Sequence, residues 1–209
     1  MNSNYFYVLN YYPVHLATKE SEVCHSTVID YYNYCREVCV VSLAENIEQI
    51  GGPGKIVEID ESKFFKRKYN RGRLLGSQQD GWVFGGIQRD NKKIFMVRVP
   101  RRNKETLLPI IHKFIKPGTL IVSDEWKAYW DLSEQGYEHE SVCHKNNFVS
   151  PTDSRVHTQN IEISWRYAKN IYPDNSTSEN LRDSYLQEFL YRKKYSTELV
   201  CQFFRDIRR

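Results

Sequence analysis

The chain has 209 residues, 40% hydrophobic and 14% aromatic, so it holds enough apolar material to fold despite a mean hydropathy of −0.64. Its formal net charge is only +4, but residues 63–104 contain thirteen Lys or Arg and two acidic residues. No run of about 18 apolar residues and no signal-peptide pattern occurs, so we expect an intracellular protein without a membrane span, nuclear in a eukaryotic host.

The five cysteines are odd in number and irregularly spaced, which favours reduced thiols over a disulfide framework. Cys24, His25, Cys35 and Cys39 could bind zinc, but their spacing matches no common zinc finger or ribbon. We therefore interpret Cys35 and Cys39 as buried helix cysteines and keep zinc binding as the alternative.

The first fifty residues are predicted to be helical, most clearly over 26–39, where apolar residues recur at a spacing of about 3.6. The Gly-Gly-Pro-Gly run at 51–54 breaks this pattern and marks a boundary. We therefore divide the chain into a helical N-terminal segment over 1–50, an α/β domain over 51–173, and a polar connector with a helical tail over 174–209.

Within the α/β domain, strands and helices are predicted in the order β-β-β-α-β-α-β-α. The strands are 55–61, 82–89, 94–100, 119–124 and 137–143, with a hairpin turn at 90–93, and the helices are 103–115, 126–135 and 157–172. This is the element order of a ribonuclease-H-like domain, in which the first and fourth strands lie side by side. The predicted fold is therefore a mixed five-stranded sheet flanked by helices.

Three acidic residues stand where this fold would bring them together. Asp60 and Asp124 each end a predicted strand, and Glu162 lies near the start of the helix 157–172. Singly, each has an ordinary interpretation as a turn residue, a helix cap or a solvated helix residue. Together they predict a site for two Mg²⁺ or Mn²⁺ ions, which prefer hard oxygen ligands and promote phosphoryl transfer on nucleic acid.

Basic side chains surround these acidic positions in the sequence. The segment 63–73 mixes six cations with three aromatic residues, which is typical of chain that holds nucleic acid. A solvated basic loop is the alternative. Lys169 lies two helical turns after Glu162 on the same face. The predicted DNA contacts are Lys63, Lys66, Arg67, Lys68, Arg71, Arg73, Lys127, Arg166 and Lys169.

The residues of 51–62, Gly-Gly-Pro-Gly-Lys-Ile-Val-Glu-Ile-Asp-Glu-Ser, resemble the start of the catalytic domain of Merlin-type transposases and their bacterial insertion-sequence relatives. Further blocks are similar, and the resemblance covers about residues 26–172. The blocks are 66–73, 82–87, 105–109, 123–129, 147–149 and 157–166. These relatives are DDE enzymes with a ribonuclease-H-like fold.

The resemblance implies that Asp60, Asp124 and Glu162 are the metal-binding catalytic carboxylates and that Lys169 is the trailing lysine of the same site. It also implies strand cleavage and strand transfer on transposon ends and target DNA by a homo-oligomer assembled on DNA. Residues 1–50 would be a remnant of a DNA-binding region. Two alternatives stay open: a domesticated or decayed relative that binds DNA without catalysis, and a ribonuclease-H-like nuclease.

Overall fold

The structure, a computed structural model, describes residues 8–64, 81–124, 129–142, 157–172 and 179–208. In chain order its elements are α1 (Val14–Ser21), α2 (His25–Glu45), β1 (Ile50–Gly51), β2 (Ile56–Lys63), β3 (Trp82–Gln88), β4 (Ile94–Val99), α3 (Lys104–Phe114), β5 (Ile115–Lys116), β6 (Leu120–Asp124), a 3₁₀ turn (Leu132–Gln135), β7 (Glu138–Val142), α4 (Gln159–Ile171), α5 (Glu179–Lys194) and α6 (Leu199–Ile207).

Contacts group the chain into two compact units. One is Glu48–Ser176, and the other combines Met1–Ile47 with Thr177–Arg209. The division into an N-terminal segment, a central domain and a C-terminal tail stays a prediction of domain organisation.

Five strands of the unit Glu48–Ser176 form one mixed sheet in the order β4-β3-β2-β6-β7. β2 pairs antiparallel with β3 and β3 with β4, whereas β6 runs parallel to β2 and to β7. In chain order, β2 is the first of these five strands and β6 is the fourth. The two are neighbours at the centre of the sheet. This is the ribonuclease-H-like arrangement, so the predicted fold class is confirmed.

Alternation along β2 sends its side chains to two faces of the sheet. Val57 and Ile59 belong to an apolar core that also contains Leu107 and Ile111 of α3. The opposite face lies against α4, whose buried residues recur every three or four positions as on a helix that packs on one side. These residues are Ile161, Ser164, Trp165 and Ala168.

The structure differs from the predicted elements in two places. Of the helix expected over 126–135, residues 126–128 lie outside the described residues, and 129–135 show 3₁₀ conformation at Tyr129 and a 3₁₀ turn at Leu132–Gln135, which Gly136 closes with φ +85°. The breaker at 51–54 also contributes to structure, because β1 pairs with β5 in parallel. Gly51 has φ +83°, and a Cβ there would lie 2.3 Å from Thr119 Oγ1, so both backbone conformation and space require glycine.

The second unit has its own apolar cluster, formed by Val8, Leu9, Cys35, Cys39, Tyr191 and Phe203. Burial raises the pKa of the Cys35 thiol to about 12 and raises that of Cys39 as well, so both stay protonated. Cys24 is exposed, away from this cluster. The structure therefore supports buried helix cysteines rather than a zinc site. None of the helices in the described ranges is long and apolar enough to cross a membrane.

Candidate active site

The register between β2 and β6 places two of the predicted carboxylates side by side. Ile56 pairs with Leu120 and Glu58 with Val122 in a parallel ladder. The paired ladder ends there, and its continuation by two residues would bring Asp60 level with Asp124. They point to the same face as Glu58, because successive side chains alternate, and neighbouring strands lie about 4.8 Å apart.

Asp60 is half-buried, and its Oδ2 accepts a hydrogen bond of 2.9 Å from the indole Nε1 of Trp165. Burial is the main cause that raises the pKa of Asp60 to about 6, and the charges of Asp124 and Glu162 add to it. The hydrogen bonds from Trp165 and from the backbone of Glu61 act in the opposite direction. Asp60 therefore lies within range of the charges of Asp124 and Glu162.

Glu162 lies in the first turn of α4 with its side chain turned toward the start of the helix. Its Oε1 accepts a hydrogen bond of 2.9 Å from Thr158 Oγ1. In the described part of the chain, no three His, Cys, Asp or Glu side chains form a ready metal-binding cluster. The charges of Asp124 and Glu162 thus reach Asp60, but the three carboxylate groups are not gathered around one point.

Glu58 joins the start of α4 to β2. It is fully buried, and its Oε2 accepts from the backbone N–H groups of Asn160 (2.9 Å) and Ile161 (3.1 Å). Its Oε1 accepts from Asn160 Nδ2 and from Arg89 Nε, each at 2.7 Å. The guanidinium of Arg89 also donates to the carbonyl of His157 at 2.6 Å. The sequence interpretation gave Glu58 no role, although it shares a face with Asp60 two residues later.

Trp165 reaches Asp60 because the neighbouring strand has no side chain at that level. Gly85 is the antiparallel partner of Asp60. A Cβ built on Gly85 would lie 2.7 Å from Trp165 Cη2 and 2.9 Å from the carbonyl oxygen of Phe95. A glycine at this position therefore leaves the space that the indole occupies.

The residues after Asp60 continue to contact α4. Phe64 packs edge-on against Trp165 and Tyr172, with ring centroids 5.7 Å and 4.9 Å apart. The ammonium group of Lys169 lies 5.5 Å from the Phe64 ring. The structure thus places Lys169 beside the end of β2, on the side that carries Asp60. Arg166 is exposed on the same helix.

The opposite face of β2 carries a second buried carboxylate. Glu61 accepts a hydrogen bond from the hydroxyl of Tyr129, and Arg102 Nη1 lies 3.9 Å from its Oε2. The pKa of Glu61 is raised to about 8, and burial is the main cause. The negative charges of Asp124 and Asp60 raise this pKa further, whereas the positive charge of Arg102 lowers it. The sequence interpretation missed this contact, although the alternation Val57, Ile59, Glu61 already places Glu61 on the core side.

Several predicted DNA contacts lie outside the described residues, and their placement stays a prediction. They are Lys66, Arg67, Lys68, Arg71, Arg73 and Lys127. Lys63 is described: it is exposed, and its Nζ lies 5.6 Å from the centroid of the Trp82 ring. Lys63 shares its face of β2 with Glu61, so it lies on the side opposite Lys169.

Comparison with known proteins gives the family. The family model described as an ISXO2-like transposase domain matches residues 50–194, most of the chain. The chain belongs to this transposase family. The predicted relation to insertion-sequence transposases is confirmed. The match includes β2, β6 and α4, the elements that carry Asp60, Asp124 and Glu162.

Two individual proteins are also similar. An uncharacterized transposase-like protein of Haemophilus influenzae strain Rd is 27% identical over 101 residues, which cover 48% of this chain and 80% of that protein. A chain in the cryo-EM structure of the simian T-cell lymphotropic virus intasome in complex with PP2A regulatory subunit B56 gamma has a TM-score of 0.41 and 19% identity. That match covers 70% of this chain and 50% of the other, so our chain spans about half of its length.

Proposed function

We propose that this transposase domain is a DDE enzyme that cleaves and joins DNA strands with Asp60, Asp124 and Glu162. The observation that carries the proposal is the parallel register of β2 and β6, whose continuation by two residues would bring Asp60 and Asp124 level on one face. The helix that carries Glu162 lies on that same face. Membership of a transposase family supports strand transfer over a plain nuclease.

The three carboxylates fit a pair of divalent ions by their chemistry. They are hard oxygen donors, and the raised pKa of Asp60 reflects burial together with two negative neighbours, a situation that bound cations relieve. Asp60, Asp124 and Glu162 would hold the two ions between them. When bound, two Mg²⁺ or Mn²⁺ ions activate a water or 3′-hydroxyl and stabilise the leaving oxygen.

The chain's own side chains orient the carboxylates and the DNA. Trp165 fixes the Asp60 carboxylate by donating to Oδ2. Lys169 and Arg166 lie on α4 beside the site and would contact DNA phosphates, as would the basic segment 63–73. The DNA partners are transposon ends and a target, and we propose that the active form is a homo-oligomer assembled on DNA.

The direct test is cleavage of supercoiled plasmid and labelled duplex by the purified chain in Mg²⁺ or Mn²⁺. Asp124→Asn should reduce cleavage by roughly a thousandfold or more, because it removes a metal ligand worth several kcal/mol. Asp30→Asn is the matched control, since Asp30 is exposed on α2 in the other unit. It should cleave like the parent.

The outcomes separate the proposal from its two rivals. A parent chain that binds duplex DNA but does not cut it with either metal, alone or with labelled insertion-sequence ends, supports a DNA-binding relative without catalysis. Metal-dependent cutting of an RNA–DNA hybrid with no joining of DNA ends supports a nuclease. Equal cleavage by Asp124→Asn and the parent contradicts the carboxylate assignment itself.

A further inference from the structure

The start of α4 is capped by a residue from another element. An α-helix leaves its first backbone N–H groups without intrahelical partners, and a side chain at the N-cap usually accepts from one of them. The N-cap of α4 is Thr158, but its side chain makes no capping hydrogen bond. The N–H groups of Asn160 and Ile161 instead donate to Oε2 of Glu58 on β2.

Because Glu58 accepts from these N–H groups, the Thr158 hydroxyl is available to Glu162. The hydroxyl donates to Glu162 Oε1 at 2.9 Å, one turn into the helix. A negative carboxylate at a helix N-terminus also interacts favourably with the helix dipole. We infer that Glu58 is a positioning residue: it caps α4 from β2 and thereby fixes Glu162 on the side of the sheet that carries Asp60. This inference rests on the proposed function, because it assigns Glu58 its effect through Glu162.

Both oxygens of Glu58 are used, which makes the site sensitive to a small change. Oε1 accepts from Arg89 Nε and Asn160 Nδ2, and Oε2 accepts from two backbone N–H groups. Glutamine has the same shape, but in either orientation its NH₂ group would face donors. Glu58→Gln should therefore lose at least two of the four hydrogen bonds without leaving a cavity.

The first measurement is amide hydrogen exchange of metal-free protein. Glu58→Gln should raise exchange at Asn160 and Ile161 by about tenfold or more relative to the parent, since a hydrogen bond to a charged group is lost. Glu105→Gln is the control, because Glu105 is exposed on α3. Unchanged exchange in Glu58→Gln overturns the inference and leaves the proposed function standing.

The second measurement is Mn²⁺ affinity in the parent, Glu58→Gln, Glu162→Gln and the double variant. If Glu58 acts through Glu162, each single change weakens Mn²⁺ binding, and the double variant binds no more weakly than Glu162→Gln alone. Additive losses, or Mn²⁺ affinity unchanged by Glu58→Gln, overturn the positioning role. Mn²⁺ binding that is indifferent to Asp60→Asn and Glu162→Gln instead overturns the proposed function.

A milder pair of variants keeps the test informative if Glu58→Gln does not fold. Asn160→Ala removes the side-chain donor 2.7 Å from Glu58 Oε1 but keeps the backbone N–H. Gln159→Ala, at the exposed neighbouring position, is its control. Asn160→Ala should raise exchange at Ile161 and weaken Mn²⁺ binding by several-fold, whereas Gln159→Ala should do neither. Identical behaviour of the two variants contradicts the inference.

Discussion

The second half of β2 carries two consecutive carboxylates, Asp60 and Glu61, on opposite faces of the sheet, and their surroundings differ. Asp60 faces α4, accepts from the Trp165 indole, and lies within range of the negative charges of Asp124 and Glu162. Glu61 faces the core, where Tyr129 donates to it and Arg102 lies 3.9 Å away. Negative neighbours act on both residues, and Glu61 in addition has the guanidinium of Arg102 nearby, which lowers its pKa.

Burial alone does not separate the two residues, because it is the largest cause of the raised pKa in both. Their neighbours separate them. A group of carboxylates on one face suits a divalent ion, while a carboxylate with a hydroxyl donor and a guanidinium suits a structural contact. The comparison supports the proposed metal-binding role for Asp60 and a structural role for Glu61.

The largest expected effect tests this assignment directly. Asp60→Asn should reduce Mg²⁺-dependent DNA cleavage by roughly a thousandfold or more, because the charge of a proposed metal ligand is lost. DNA binding should stay nearly unchanged, since no phosphate-binding cation is removed. Glu61→Gln should keep most of the cleavage. The measurements are single-turnover cleavage of labelled duplex and a binding titration in EDTA.

The reverse pattern, with Glu61→Gln inactive and Asp60→Asn active, would assign the chemistry to the Glu61 face of the sheet and contradict the proposed site. Loss of activity in both variants, with parent-like folding and DNA binding, would show that Glu61 also acts in the reaction. Either result breaks the comparison between the two faces.

A second effect concerns the space beside Asp60. Gly85→Ala should destabilise the fold by about 1–3 kcal/mol, because its Cβ meets the Trp165 indole and the Phe95 carbonyl. Trp165→Phe should relieve part of this cost, so the double variant should be about 1 kcal/mol more stable than additivity predicts. Urea unfolding of the four proteins measures the coupling.

Gly86→Ala is the matched control on the other face. Its Cβ would lie 2.7 Å from the Phe95 ring, and Trp165 is not among its near contacts. The loss of unfolding free energy in Gly86→Ala should therefore add to the loss in Trp165→Phe without coupling. Coupling at Gly86 and none at Gly85 would contradict the packing described here.

Much of the fold could be predicted from the sequence because its signals are local. Alternating apolar residues, the turn at 90–93 and the breaks at Pro117 and Gly136 mark most element boundaries, and their order indicates the sheet. The short pair β1-β5 could not be predicted, since it joins Ile50 and Gly51 to Ile115 and Lys116, which are distant in the sequence. Asp124 ends β6 as the sequence predicts, whereas the prediction that Asp60 ends its strand was wrong, because pairing with β3 continues β2 to Lys63.

The supporting contacts of the site could not be read in the same way. The hydrogen bonds between Glu58 and the start of α4 join residues that are 102 or more positions apart in the sequence. The Glu61–Tyr129 pair spans 68 positions. A strand glutamate looks the same in sequence whether it caps a distant helix or faces solvent. Register and helix placement decide between these roles, and both are tertiary features.

A third effect is the pH dependence that Glu61 gives to the metal-free protein. Its pKa is about 8 in the folded protein, against an ordinary value of 4.5, so the folded state keeps a proton that the unfolded state loses. Stability should therefore fall as pH rises between these values. Glu61→Gln should flatten this fall and be more stable than the parent near pH 8, on the order of 1–2 kcal/mol.

Urea unfolding in EDTA at about pH 5 and about pH 8 measures this difference. The Asp60 carboxyl titrates in both proteins, so the comparison of parent with Glu61→Gln isolates Glu61. If the variant is the less stable protein near pH 8, Glu61 is ionised in the fold and its contact with Arg102 is a stabilising ion pair.

The smallest effect asks on which face the DNA lies. Lys63 at the end of β2 and Lys169 on α4 are both exposed, Lys169 beside Phe64 on the Asp60 side and Lys63 beside Trp82 on the Glu61 side. A lysine that neutralises one phosphate contributes about 0.9 to the log–log dependence of affinity on salt. Lys169→Ala should reduce the slope by about that amount, and Lys63→Ala by less.

Binding should weaken similarly for all DNA sequences, since phosphate contacts carry no direct base information. Thermal unfolding should change little, because both side chains are exposed. A slope reduced by Lys63→Ala but not by Lys169→Ala would place the phosphates on the side away from the carboxylates, and the active site proposed on the Asp60 face would then lack its substrate.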